Sequence, residues 1–100
     1  MIYLTQLIYL KAGKEAVFHE FEDFAIPLMT KYNGRIIQRI RPNAAAFISG
    51  DEERPYEIHF ISFDTERDFD DFKKDKSRLD FMHLKEASVK STLLIKGEKL

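Results

Sequence analysis

Two nine-residue stretches, IYLTQLIYL (2–10) and PYEIHFISF (55–63), carry apolar side chains on both of their alternating faces. In the first, Tyr3, Thr5, Leu7 and Tyr9 alternate with Ile2, Leu4, Gln6, Ile8 and Leu10. In the second, Tyr56, Ile58, Phe60 and Ser62 alternate with Glu57, His59, Ile61 and Phe63. A strand that needs cover on both faces belongs in the middle of a sheet. A chain of 100 residues has one modest core and few elements with which to provide that cover.

The remaining elements follow in a readable order. Val17, Phe18, Phe21, Phe24, Ala25, Leu28 and Tyr32 recur at steps of three and four, which predicts an amphipathic helix over 14–32. Lys14, Glu15, Glu20, Glu22, Asp23 and Lys31 fall between them and read as its solvated face. Pro27 has no N–H for the carbonyl of Asp23, so a kink or break is expected near Ala25. Asn33-Gly34 ends the helix, because both residues tolerate the left-handed conformation. RIIQRIR (35–41) predicts a second strand, Phe47 and Ile48 a brief pairing, and SGDEER (49–54) a polar loop. The third strand is 55–63. Thr65 with Asp68 approximates a capping box for a helix that turns Phe69 and Phe72 inward. A charged joint at 73–78, a second helical piece over 79–89 and a last strand, STLLIK (91–96), complete a single domain over 1–100.

The order β-α-β-β-α-β is the split βαβ pattern of an α+β, ferredoxin-like domain. Right-handed crossovers place the first and third strands side by side in an antiparallel sheet, with the helices on one face. The other face then exposes Tyr3, Tyr9, Tyr56, Ile58 and Phe60. Monomers rarely tolerate so large an apolar patch. A second copy of the chain, packed face to face, covers it with the same patch on both partners.

On this pattern the chain resembles the dimeric α/β-barrel superfamily, in which two ferredoxin-like chains join their sheets. KYNGRIIQR (31–39) resembles the helix end, glycine turn and second strand of a short family of unknown function within it. FISFDTERDFDDFKKD (60–75) resembles that family's third strand and following helix. The superfamily also holds cofactor-independent monooxygenases related to antibiotic biosynthesis, haem-modifying enzymes and ligand-sensing domains. The resemblance therefore implies a homodimer without choosing an activity. The absence of tryptophan and of a matching axial histidine sets this chain apart from the haem-modifying members.

Composition excludes several classes. A net charge of −1 disfavours a general nucleic-acid or anionic-membrane binder. Without cysteine there is no disulfide framework, iron–sulfur cluster or thiol nucleophile. No run reaches a membrane span of about 18 apolar residues, and no basic leader with a small-residue cleavage site is visible, so a cytoplasmic protein is expected. Phosphate-cradling glycine loops are absent. An RNA-recognition module shares the element order and would stack bases on Tyr3 and Phe60, but the basic residue and glycines of its third-strand motif are missing.

Six residues are candidate site residues. Gln6 and His59 project from the strand faces turned toward the helices, on strands that should be neighbours. Together they could bind a polar group, and His59 could move a proton as the catalytic residue. More often such a histidine is a core residue satisfied by one hydrogen bond. Arg35, Arg39 and Arg41 alternate along one face of the second strand, where they would guard a sheet edge. Arg39, mid-strand, is the one placed to clamp an anion. Tyr3, Tyr9 and Tyr56 would contact a ligand between the sheets, or fill a dimer core. His19 and Asp23 have metal-ligand spacing, but no second pair supports a metal site, and none is expected. No cofactor is implied. The expected role is binding of a small, partly aromatic molecule. The alternatives are cofactor-independent oxygenation of an aromatic substrate and an RNA-recognition-like or partner-binding module.

Overall fold

The computed structural model describes residues 1–100. Four strands, β1 (Ile2–Leu10), β2 (Gly34–Ile40), β3 (Glu57–Phe63) and β4 (Val89–Gly97), form one sheet in the order β2-β3-β1-β4. The three pairings β1–β3, β1–β4 and β2–β3 are all antiparallel. The two strands that are apolar on both faces are thus the central pair. Helices α1 (Glu15–Leu28), α2 (Glu66–Lys74), α3 (Lys76–Asp80) and α4 (Met82–Ser88) complete the chain. The molecule is a slab of 36 × 36 × 16 Å, two layers thick, with the second sheet face uncovered.

The core lies between the sheet and helices. Leu4, Met29, Ile61, Phe63 and Phe72 form its buried centre, with Ile2, Leu28, Tyr32, Ile36 and Phe69 packed around it. Leu4, Ile61 and Phe63 come from the alternating set that also contains Gln6, Glu57 and His59. That set therefore faces the helices, and Ile58 and Phe60 face away. Asn33 takes the left-handed conformation (φ 57°) and Gly34 starts β2. A side chain at Gly34 would run into the Phe63 ring, so close packing requires glycine there. Thr65 caps α2 by accepting the Asp68 N–H at 3.0 Å.

Several expectations need correction. Pro27 does not break α1 near Ala25. It sits in the last turn, so α1 loses only the bond to the Asp23 carbonyl before the chain tightens into a 3₁₀ turn over Met29–Tyr32. The helical piece expected at 79–89 is two short helices, α3 and α4, and Asp75 caps α3 by accepting the Arg78 N–H. Phe47 and Ile48 form no strand. Ala44–Ala46 is a 3₁₀ turn, Phe47 lies under the Arg54 guanidinium at 5.0 Å and Ile48 is exposed.

Two corrections bear on the site. The β2–β3 register shifts between Ile36 and Gln38, so Ile37 is an extra residue with no opposite number. Arg35 pairs with Ser62 on the open face, whereas Arg39 pairs with His59 on the helix face. The three arginines do not share one face. Tyr56 is not on the open face either. It precedes β3, packs edge-on against Phe18 of α1 and accepts or donates a 2.6 Å hydrogen bond with His19 Nε2.

Candidate functional site

A cavity of about 190 Å³ lies between the sheet and helices. Its walls are mostly apolar. Gln6, Glu22 and His59 enter it from β1, α1 and β3, and Lys73, Arg78, Lys85 and Thr92 are the other polar residues of its lining. Gln6 and His59 are direct partners in the β1–β3 register, which is why they converge. Cavities of about 150 Å³ hold a benzene ring, so this one has room for a single-ring molecule.

Beneath His59 sits a buried ionic cluster. Its Nε2 lies 2.5 Å from Glu57 Oε2 and 3.1 Å from Glu22 Oε2. Glu57 is two residues from His59 on the same strand face, so the two side chains stand together. Glu22 follows Phe18 by four residues and precedes Ala25 by three, which aligns it with the buried stripe of α1. Arg39 donates Nη2 to Glu22 Oε1 at 2.7 Å and Nε to Glu57 Oε2 at 3.1 Å. Arg41 donates Nε to Glu57 Oε1 at 2.9 Å and lies over the Tyr56 ring. Both glutamates and His59 are nearly inaccessible, and the two arginines are part-exposed at the sheet edge.

The charges decide how the cluster titrates. Burial works against the Glu57 carboxylate, but hydrogen bonds from His59, Glu22, Arg41 and Arg39 outweigh it and hold its pKa well below the ordinary 4.5. Burial raises the Glu22 pKa above 4.5, and the nearby Glu57 adds to that while His59 and Arg39 oppose it. Burial alone would depress His59, yet its bonds to Glu22 and Glu57 lift it above the ordinary 6.5. One Nε2 proton faces two carboxylates, and Glu22 Oε2 is left buried with no well-formed hydrogen bond of its own. The group can therefore take up or release a proton beside the cavity.

These directions predict a stability profile. The Glu57 contribution is present above pH 4.5 and lost as pH falls through its depressed pKa. The His59 contribution is complete below pH 6.5 and lost as pH rises through its raised pKa, and Glu22 acts in the same sense above 4.5. The urea midpoint is expected to be higher at about pH 6 than at about pH 8.5, with His59→Gln removing most of the difference. A variant that kept the full difference would show that the cluster does not set it.

The ligand atoms of Glu22, Glu57 and His59 lie within 4.8 Å of one another, the spacing of a metal site. Arg39 and Arg41 already occupy Glu22 Oε1 and both Glu57 oxygens, so the cluster is an ion-pair network with its own cations. Of the sequence candidates, Gln6 and His59 line the cavity, and Arg39 sits behind His59 against both glutamates. Tyr3 and Tyr9 lie on the open sheet face and Tyr56 against α1, so the structure does not bring the three tyrosines together. Glu22, Glu57 and Arg41 were not among the candidates. Glu57 shares the His59 face in the alternation, and Glu22 shares the Phe18–Ala25–Met29 stripe, so the signal for both was their spacing.

No protein-family profile matches the chain, and no curated protein matches it in sequence. Solved structures match its fold. A protein of unknown function from Rhodopseudomonas palustris superimposes with a TM-score of 0.85 at 13% identity, over 99% of this chain and 82% of that one. A candidate antibiotic biosynthesis monooxygenase from Nitrosomonas europaea gives 0.75 at 12% identity, over 100% and 99%. A dimeric protein of unknown function with a ferredoxin-like fold from Bacteroides fragilis gives 0.68 at 16%, over 98% and 95%. The chain is an α+β protein with the ferredoxin-like fold. No helix in it is long and apolar enough to cross a membrane.

Proposed function

We propose that this protein is a cytoplasmic homodimer that binds a small, partly aromatic molecule in the cavity between sheet and helices. The observation that carries this reading is the convergence of Gln6, His59 and Glu22 on a mostly apolar cavity of single-ring size. Apolar walls with a few convergent polar groups are the usual form of a small-molecule site. His59, held by Glu57 and Glu22, is the proton donor or acceptor to a ligand oxygen, and Gln6 is the neutral hydrogen-bonding partner. Arg39 is a positioning residue that fixes both carboxylates. Homodimer formation through the open sheet face is supported by its exposed apolar side chains, with Leu93 at 49% and Ile95 at 50% accessible. Tyr3 and Tyr9 then belong to the interface rather than to the cavity.

p-Cresol, one ring with one hydroxyl, is a suitable probe. Calorimetric titration is expected to show binding to the wild type and about tenfold weaker binding to His59→Gln, the value of one hydrogen bond to a charged group. Equal affinities in two folded proteins would remove His59 from the site.

A second reading is cofactor-independent oxygenation of an aromatic substrate. It is favoured by the free Glu22 Oε2 beside His59, which suits removal of a phenolic proton. Oxygen consumption with a phenol, absent in Glu22→Gln, would establish it over simple binding.

A further inference from the structure

The helix side of the cavity carries two cations that the proposed site does not use. Arg78 of α3 and Lys85 of α4 both line it. Neither forms an ion pair, although 12 such pairs occur elsewhere in the chain. Arg78 lies over the Phe72 ring at 5.1 Å and donates Nη1 to the Lys73 carbonyl, but its Nε is buried without a partner. The one acid whose charge reaches it is Asp75. The Asp75 oxygens are already engaged by Tyr32, Ser77, Lys31 and the Arg78 backbone N–H. Lys85 is pushed below its ordinary pKa by burial and by the Arg78 charge, with no acid offsetting either. Two neighbouring cations, part-buried and unneutralised, are unfavourable in an isolated chain. They become favourable once an anion joins them.

We propose that the ligand of this cavity is a small apolar acid whose carboxylate sits between Arg78 and Lys85. This rests on the reading of the cavity as a ligand site and adds the ligand's chemical class. The sheet side offers the carboxylate no free cation, because Arg39, Arg41 and His59 are already engaged by Glu22 and Glu57. His59 and Gln6 line that side and meet the other end of the ligand. Lys73, also at the cavity, is spoken for by Asp70 at 3.3 Å and by the Phe69 ring.

Phenylacetate and phenylacetamide share a shape and differ in charge, so calorimetry with both at low ionic strength separates the two ideas. The wild type is expected to bind phenylacetate at least about tenfold more tightly than phenylacetamide. Lys85→Met keeps the alkyl stem and removes the charge. It is expected to bring the two affinities within about twofold, leave phenylacetamide binding unchanged, and melt no lower than the wild type, since an unpaired cation is removed. Arg78→Met should act in the same direction, and Lys85→Met alone decides the matter if that variant does not fold. Equal affinities in the wild type would overturn the carboxylate proposal and leave the cavity as a neutral site. A preference that survives in the folded variants would also overturn it. Binding of neither probe would fail the cavity reading itself, and the proposal with it.

Discussion

Glu57→Ala is expected to lower the folding stability by about 3–5 kcal/mol, the cost of breaking a buried ion pair from one side. Glu57 is fully buried and takes hydrogen bonds from Arg39, Arg41 and His59 at once. Its removal strands three cationic groups, and Glu22 can answer only Arg39 and His59 at close range. Arg41 then faces Glu22 only across 4.0 Å. Urea unfolding at neutral pH measures the loss directly. The companion Arg41→Ala should cost much less, because that side chain is 45% exposed and water can replace it. Similar small losses for both would mean that Glu57 is not held as an ion in the folded protein.

Phe60→Asp is expected to convert the proposed dimer to monomer at micromolar concentration. Phe60 lies on the sheet face turned away from the helices, opposite Thr5 on one side and Gln38 on the other. In the proposed homodimer the two-fold axis buries this position twice, so each dimer would enclose two unpaired carboxylates. A penalty of roughly 3 kcal/mol corresponds to about a hundredfold rise in the dissociation constant. The same change faces solvent in the monomer and should move its melting temperature little. Sedimentation equilibrium on both proteins reads the difference. A wild type that sediments as a monomer would mean that the apolar face meets some other partner, and the partner-binding or RNA-recognition reading would take precedence.

The architecture was legible because it depends on local patterns. Alternation in 2–10 and 55–63 marks the central strands, the three-and-four spacing from Val17 to Tyr32 marks α1, and Asn33-Gly34 and Thr65 mark where elements end and begin. The bulge at Ile37 left no such trace. RIIQRIR contains neither the glycine nor the proline that usually signals a bulge, and only pairing with β3 reveals the extra residue. Its effect is large, since it turns Arg39 toward the helices while Arg35 stays on the open face. Tyr56 was misplaced for a related reason: alternation was extended one residue beyond the start of β3.

The site was half legible. Gln6 and His59 stand out as polar residues in an apolar alternation, and strand adjacency follows from the fold. Glu22 was assigned to water because carboxylates are seldom buried unless paired. Its partners come from β2 and β3, 17 residues or more along the chain, so nothing local announced the pairing. Arg78 closes the charged joint on one short helix and Lys85 lies on the next, and their shared cavity is a product of packing alone.

In the proposed function the two faces of the sheet have different work, ligand binding beneath the helices and association on the open side. Methyl NMR of ¹³C-labelled protein titrated with p-cresol tests that division most directly. Shifts are expected at Leu4, Ile8, Ile26, Met29 and Ile61, which line the cavity, while Leu7, Leu93 and Ile95 on the open face stay in place. Shifts confined to the open face, or no saturable shift at any of these methyls, would contradict it.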